Sequence, residues 1–141
     1  MKVKYFNPNL TRIQQIPQGD WLDLRCAANT EIKKGEMKLI PLGVAIQLPP
    51  NTEAYLVPRS STFKNYKVIQ VNGVGIIDNS YCGDNDQWFV PFYATEDTFI
   101  PFNERICQFR VQQKSPYHDI IEEVERLDNQ DRGGFGSTGK L

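Results

Sequence analysis

The segment Gly73-Val74-Gly75-Ile76-Ile77-Asp78-Asn79-Ser80-Tyr81-Cys82-Gly83 ends a short apolar run in a carboxylate, with an aromatic ring three residues on. A carboxylate held at a strand end has a fixed direction, so Asp78 is a candidate general base acting on water. The competing reading is a turn aspartate whose side chain caps its own backbone, and spacing alone favours it for an isolated Asp. A second group, Pro58-Arg59-Ser60-Ser61-Thr62, sets a guanidinium beside three hydroxyls. Arginine binds phosphate oxygens in a fork and hydroxyls donate from adjustable rotors, which suits a chain of phosphates; the alternative is a solvated loop. Arg105 and Gln108 stand three apart in Asn103-Glu104-Arg105-Ile106-Cys107-Gln108. On a strand that spacing turns them to opposite sides, one toward a site and one toward a structural ion pair.

Asp20 and Asp23 in Gly19-Asp20-Trp21-Leu22-Asp23-Leu24 suit Mg²⁺, which takes one or two carboxylates together with waters and phosphates. Asp23 is the odder, since it interrupts an apolar run, although a structural hydrogen bond to a loop is the simpler explanation of it. Near the end, Gly134 through Lys140 satisfies GxxxxGK. Leu141 stands where a P-loop needs Ser or Thr, and no helix is expected to follow, so that motif is excluded. What remains is Phe135 among glycines, with Arg132 before it and Ser137 and Thr138 after it. Such a segment can fold over a ligand, stack on a base and cover phosphates; the plain alternative is a disordered terminus.

The elements that must position these groups show a period of two. Leu42, Val44, Ile46 and Leu48 share one face, Ala45 and Gln47 the other; Pro49-Pro50-Asn51-Thr52 breaks the run and Glu53 to Val57 resumes it. That predicts two strands joined by a turn. Similar runs at 67–71, 87–94, 98–102 and 106–111 predict an all-β sandwich or barrel. The stretch 58–66 reads as a short helix or an irregular loop, and 117–127 as a strand or a short helix. A β domain over 1–128 and a flexible, glycine-rich segment over 129–141 are expected.

With 141 residues, 40% of them hydrophobic, the chain suits one domain with one core. Its 16 basic and 17 acidic side chains give no overall field for nucleic acid, so any phosphate site must be local. No apolar run approaches the roughly 18 residues of a membrane span, and the opening residues lack a signal-peptide core. A soluble, intracellular protein without membrane association is expected. Cys26, Cys82 and Cys107 show no CxxC spacing, which argues against zinc and disulfides and for reduced thiols at buried or half-buried positions. His118 is the one histidine, so serine-hydrolase and zincin chemistry fit poorly.

Taken in order from Trp21 to the C-terminus, the five segments resemble the five motifs of trimeric deoxyuridine triphosphatases, in the form found in Gram-positive bacteria and their phages. Each motif is short; the ordered set is specific. The resemblance implies a jelly-roll-like β subunit in a homotrimer whose active sites are each assembled from three chains. It implies hydrolysis of dUTP to dUMP and pyrophosphate with Mg²⁺ in the cytoplasm, the host's for a phage enzyme. That reaction limits uracil incorporation into DNA and supplies dUMP for thymidylate synthesis.

By the same resemblance Asp23 reaches Mg²⁺ through a water, and Arg59, Ser60 and Ser61 hold phosphates. Residues 72–83 form a β-hairpin that reads uracil through the backbone of Gly75, Ile76 and Ile77, with Asn72 assisting. Asp78 directs water at the α-phosphate, and the Tyr81 ring lies under the deoxyribose and excludes a 2′-hydroxyl. Gln108 is the phosphate-side residue and Arg105 supports the fold. Phe135 stacks on uracil while Arg132, Ser137 and Thr138 close on the phosphates. The chain departs from the common pattern at Ser61, often glycine; at Cys107, usually a smaller residue; at residues 84–86, a longer stretch; and in the short spacing from Arg132 to Phe135. A deoxycytidine triphosphate deaminase shares the fold but needs a glutamate near the base, and 72–83 contains none. A purely regulatory binding protein would be expected to lose the motif carboxylates, and Asp23 and Asp78 are both present.

Overall fold

A computed structural model describes residues 1–117 and 120–140, so His118, Asp119 and Leu141 lie outside the described residues. The strands are β1 (Lys2–Tyr5), β2 (Leu22–Arg25), β3 (Thr30–Ile32), β4 (Met37–Pro41), β5 (Val44–Gln47), β6 (Thr52–Pro58), β7 (Val68–Gln70), β8 (Gly75–Ile77), β9 (Phe89–Ala94), β10 (Thr98–Ile100) and β11 (Arg105–Gln113). The one helix among the described residues is α1 (Thr62–Tyr66). They form a four-stranded sheet β2-β11-β6-β8, a three-stranded sheet β4-β9-β7, and the pairs β1-β5 and β3-β10, all antiparallel. The result is a jelly-roll-like body whose sheets do not join into one closed barrel. No helix among the described residues is long and apolar enough to cross a membrane.

Alternation drives the packing. In β9, Val90, Phe92 and Ala94 are buried while Phe89 and Tyr93 point outward. The inward residues meet Trp88 and Phe109 in the core, where the two rings pack edge to face at 5.1 Å, an arrangement worth about 1 kcal/mol beyond the area it buries. The outward face of the β4-β9-β7 sheet is unusually apolar: Met37, Leu39, Ile69, Phe89 and Tyr93 are all exposed. Register places Met37 and Ile69 on either side of Tyr93, and Leu39 opposite Pro91.

The two strands expected around Pro49-Pro50 are β5 and β6, but the turn between them, with Asn51 at φ 58°, is not a hairpin turn. It carries the chain from the β1-β5 pair into the four-stranded sheet. Residues 72–83 likewise do not form the expected hairpin. Their one strand, β8, pairs with β6, and the return past Asp78 is a series of turns in which Asp86 accepts from the Gly83 N–H. Segment 58–66 combines both readings, an irregular turn running into α1, which ends where Lys67 adopts φ 55° and donates its N–H to Phe63 O. Residues 117 and 120–127 contain neither strand nor helix.

Cys26 and Cys107 are buried, and burial raises both thiol pKa values. Cys82 departs from expectation: it is exposed, because it follows Tyr81 on the surface turns that leave β8.

Candidate active site

The first cleft is built on β8. Gly75, Ile76 and Ile77 pair with Leu56, Tyr55 and Ala54 of β6. The approach at Gly75 is close enough that an added Cβ would meet Leu56 Cβ at 3.2 Å. Asp78 leaves the strand end with its carboxylate exposed, and borders a cleft with Ile76, Ile77, Tyr81 and Gln87. The turn contact is made by the Asp78 carbonyl, which accepts from the Tyr81 N–H, and not by the carboxylate that the capping alternative requires. Two side chains brace this strand end. Asn79 Nδ2 donates to Pro49 O (2.8 Å) and Thr52 O (3.0 Å), tying the residue after Asp78 to the β5–β6 turn. The Tyr81 hydroxyl donates to Gln87 O at 2.9 Å. Sequence reasoning overlooked Asn79, although an Asn beside a strand-end carboxylate is itself a turn signal.

The second cleft gathers Asp20, Asp23, Arg59, Ser60 and Gln108, beside Gly19 and Trp21. Asp23 is held from both sides: Arg59 Nε lies 3.1 Å from Oδ1 and Arg105 Nη1 lies 3.1 Å from Oδ2. Arg105 and Gln108 therefore do not face opposite sides. A β-bulge between Arg105 and Cys107 sends both Ile106 and Cys107 inward and leaves Arg105 and Gln108 together at the Asp23 end, where Gln108 Nε2 donates to Pro58 O at 3.1 Å. On the far side of Arg59, a polar cleft is bordered by Arg25, Arg105, Asn103 and Glu104. Burial, then the charge of Arg105, lowers the Arg25 pKa. Three guanidiniums around one region make it locally cationic in a chain whose net charge is −1.

The three hydroxyls of the arginine segment differ in placement. Ser60 is exposed, and Ser61 starts α1 without a side-chain capping bond, so neither hydroxyl is committed to the fold by the helix. Thr62, grouped with them by sequence, is buried: its Oγ1 accepts from the Arg59 N–H (2.9 Å) and donates to Ile106 O (3.0 Å). It pins the loop to β11 and is unavailable to a ligand. Thr62→Val keeps the shape but strands both backbone partners, and is expected to cost about 2 kcal/mol. Urea unfolding checks this as a lower midpoint with an unchanged m-value.

The two clefts lie apart. Ile77, just before Asp78, pairs with Ala54, whereas Arg59 follows Pro58 at the other end of β6; the intervening strand spans roughly 13 Å. The tail joins neither cleft. Arg132, Phe135, Ser137 and Thr138 are exposed, and the tail's backbone hydrogen bonds close its own turns, Ser137 N–H to Gly134 O and Gly139 N–H to Gly136 O.

A jelly-roll-like β body with an arginine-rich cleft on one side of Arg59 and a cleft holding Asp20, Asp23 and Ser60 on the other is the frame in which the comparisons with known proteins fall. The dUTPase family model matches residues 14–139. The SPbeta prophage-derived deoxyuridine 5'-triphosphate nucleotidohydrolase YosS of Bacillus subtilis (strain 168) is 58% identical over 139 residues, which cover 99% of this chain and 97% of that protein. Among solved structures, a Staphylococcus bacteriophage 80alpha dUTPase mutant with dUpNHpp has a TM-score of 0.75 at 18% identity, covering 99% of this chain and 98% of that one. A mutant dUTPase from phage phi11 of S. aureus, described for its coordination of a structural Mg(II) ion, has a TM-score of 0.75 at 14% identity, covering 89% and 97%. These two share the fold. The chain belongs to the dUTPase family.

Proposed function

We propose that this chain hydrolyses dUTP to dUMP and pyrophosphate as a homotrimer, each active site drawing residues from three chains. One observation carries the shared site. The Asp78 cleft and the Asp23, Arg59, Ser60 and Gln108 cleft stand at opposite ends of β6, which supports a site completed by residues of neighbouring chains. The outward apolar face of the β4-β9-β7 sheet supports assembly, since exposed patches of this kind mark contact surfaces.

In this reading the backbone of Gly75, Ile76 and Ile77, with Asn72, receives uracil. The exposed Asp78 carboxylate takes a proton from a water aligned with the α-phosphorus, and pyrophosphate departs without a covalent intermediate. The Tyr81 ring, steadied through its hydroxyl on Gln87 O, lies against the deoxyribose where a 2′-hydroxyl would collide. Arg59, Ser60, Ser61 and Gln108 bind the phosphates. The tail folds over as a lid, with Phe135 on the base and Arg132, Ser137 and Thr138 on the phosphates.

The residues fit a role for Mg²⁺. No cluster of three or more His, Cys, Asp or Glu among the described residues builds an all-protein metal cage, and Mg²⁺ does not require one, since it keeps waters and shares phosphates. Asp20 and Asp23 border the phosphate cleft. The two arginine contacts of Asp23 use two of the roughly four lone-pair sites of a carboxylate, leaving others for a metal-bound water. Bound there beside Asp23, Mg²⁺ would neutralise charge on the triphosphate and polarise it. The reaction takes place in the cytoplasm, the host's if the chain is phage-encoded.

Pyrophosphate release from dUTP, dTTP, dCTP and UTP, with Mg²⁺ and with chelator, tests this reading. Metal-dependent release from dUTP alone supports the reaction and both readouts; no release from any of the four overturns it.

A further inference from the structure

Gln70 is a polar side chain inside the core: on β7 it is 5% exposed. Its Nε2 donates to Leu56 O and to Asn72 Oδ1, both at 2.9 Å. A backbone carbonyl can only accept, so Leu56 O fixes which end of the Gln70 amide faces it. The second N–H of the same nitrogen then meets Asn72, which must answer with its oxygen. Asn72 is thereby left with its own NH₂ on the exposed side. That nitrogen stands 3.5 Å from the position a Cβ would take on Gly75, beside the backbone assigned to the base.

The arrangement carries a cost, because Gln70 Oε1 is buried without a hydrogen-bond partner. Turning the Gln70 amide over would not relieve it cheaply, since that would set an oxygen against Leu56 O. The fold accepts an unpaired acceptor and in exchange holds one polarity.

We infer that Gln70 is a positioning residue for base selection: the relay from Leu56 O through Gln70 locks Asn72 with its NH₂ outward, so that it meets a carbonyl and opposes an amino group. The inference rests on the reading of Asn72 as a base contact. At the pyrimidine 4-position uracil offers a carbonyl oxygen and cytosine an amino group. A free asparagine would turn to suit either; a clamped one matches uracil and leaves cytosine with two donors face to face.

The test is Gln70→Leu, similar in volume and without the relay. Selectivity for dUTP over dCTP, taken as the ratio of kcat/KM for dUTP to the inhibition by dCTP, is expected to fall by about tenfold or more. The loss for dUTP should fall on KM more than on kcat, which a general loosening of the fold would not produce. Unchanged selectivity in an active variant overturns the inference. A second measurement needs no variant: in the native protein, nuclear magnetic resonance should show the Gln70 side-chain NH₂ protected from exchange with solvent and the Asn72 NH₂ exchanging freely, and the reverse pattern overturns the inference as well. A native chain that releases no pyrophosphate from dUTP would instead sink the functional reading, so the two failures are distinguishable.

Discussion

Replacing Asp78 by Asn is expected to reduce turnover of dUTP roughly 10³-fold while leaving nucleotide affinity within a few-fold of the parent. The size follows from the role: a positioned base contributes two to four decades to a proton transfer, and the amide keeps the shape but cannot accept the proton. Binding should survive because Asp78 sits at the exposed end of β8, outside the core, and its turn is held by its backbone carbonyl and by Asn79. Pre-steady-state pyrophosphate release together with titration by a non-hydrolysable analogue separates the two effects. An active Asp78→Asn enzyme would remove the base from Asp78; lost binding would assign the carboxylate to substrate contact instead.

A chain ending at Asp128 should melt at the temperature of the full chain and lose roughly 100-fold in turnover. The two halves of this expectation come from separate observations. The core closes well before the tail, since Phe109 is its last buried member, so removing the tail exposes nothing apolar. The tail nevertheless carries Phe135 and the hydroxyls assigned to lid closure. Superimposable melting curves with full activity would dismiss the lid. A lowered melting temperature would show instead that the tail packs on the body of the assembled protein.

The strands were legible because period-two alternation is a local property. In β9 the burial pattern can be read letter by letter, whereas in β5 Ala45, expected on the face opposite Val44 and Ile46, is buried with them. What alternation cannot reveal is which strands pair, so the β5–β6 turn looks in sequence like any hairpin turn. The bulge at Arg105 had a sequence trace: Ile106 and Cys107 are adjacent apolar residues in a strand that otherwise alternates, which signals an extra residue. The division of labour among Ser60, Ser61 and Thr62 had none. It depends on the Ile106 carbonyl, 44 residues from Thr62. Asp23 is visible in sequence as an odd residue within an apolar run, but its partnership with Arg105 spans 82 residues. No window of sequence distinguishes an aspartate clasped by two arginines from one free to face solvent.

Among the described residues, no two strands that follow one another in sequence pair with each other: β6 bonds to β11 and β8, β9 to β4 and β7, β1 to β5. The described residues thus contain no strand-to-strand hairpin from which a sheet can nucleate. Every ladder must wait for a sizeable loop to close, and the entropy of that closure falls due before any strand contact rewards it. Refolding of the separated chain should therefore run in milliseconds to seconds rather than microseconds. During that interval its apolar strands stand unpaired, and dilution should favour recovery of the native protein over aggregation.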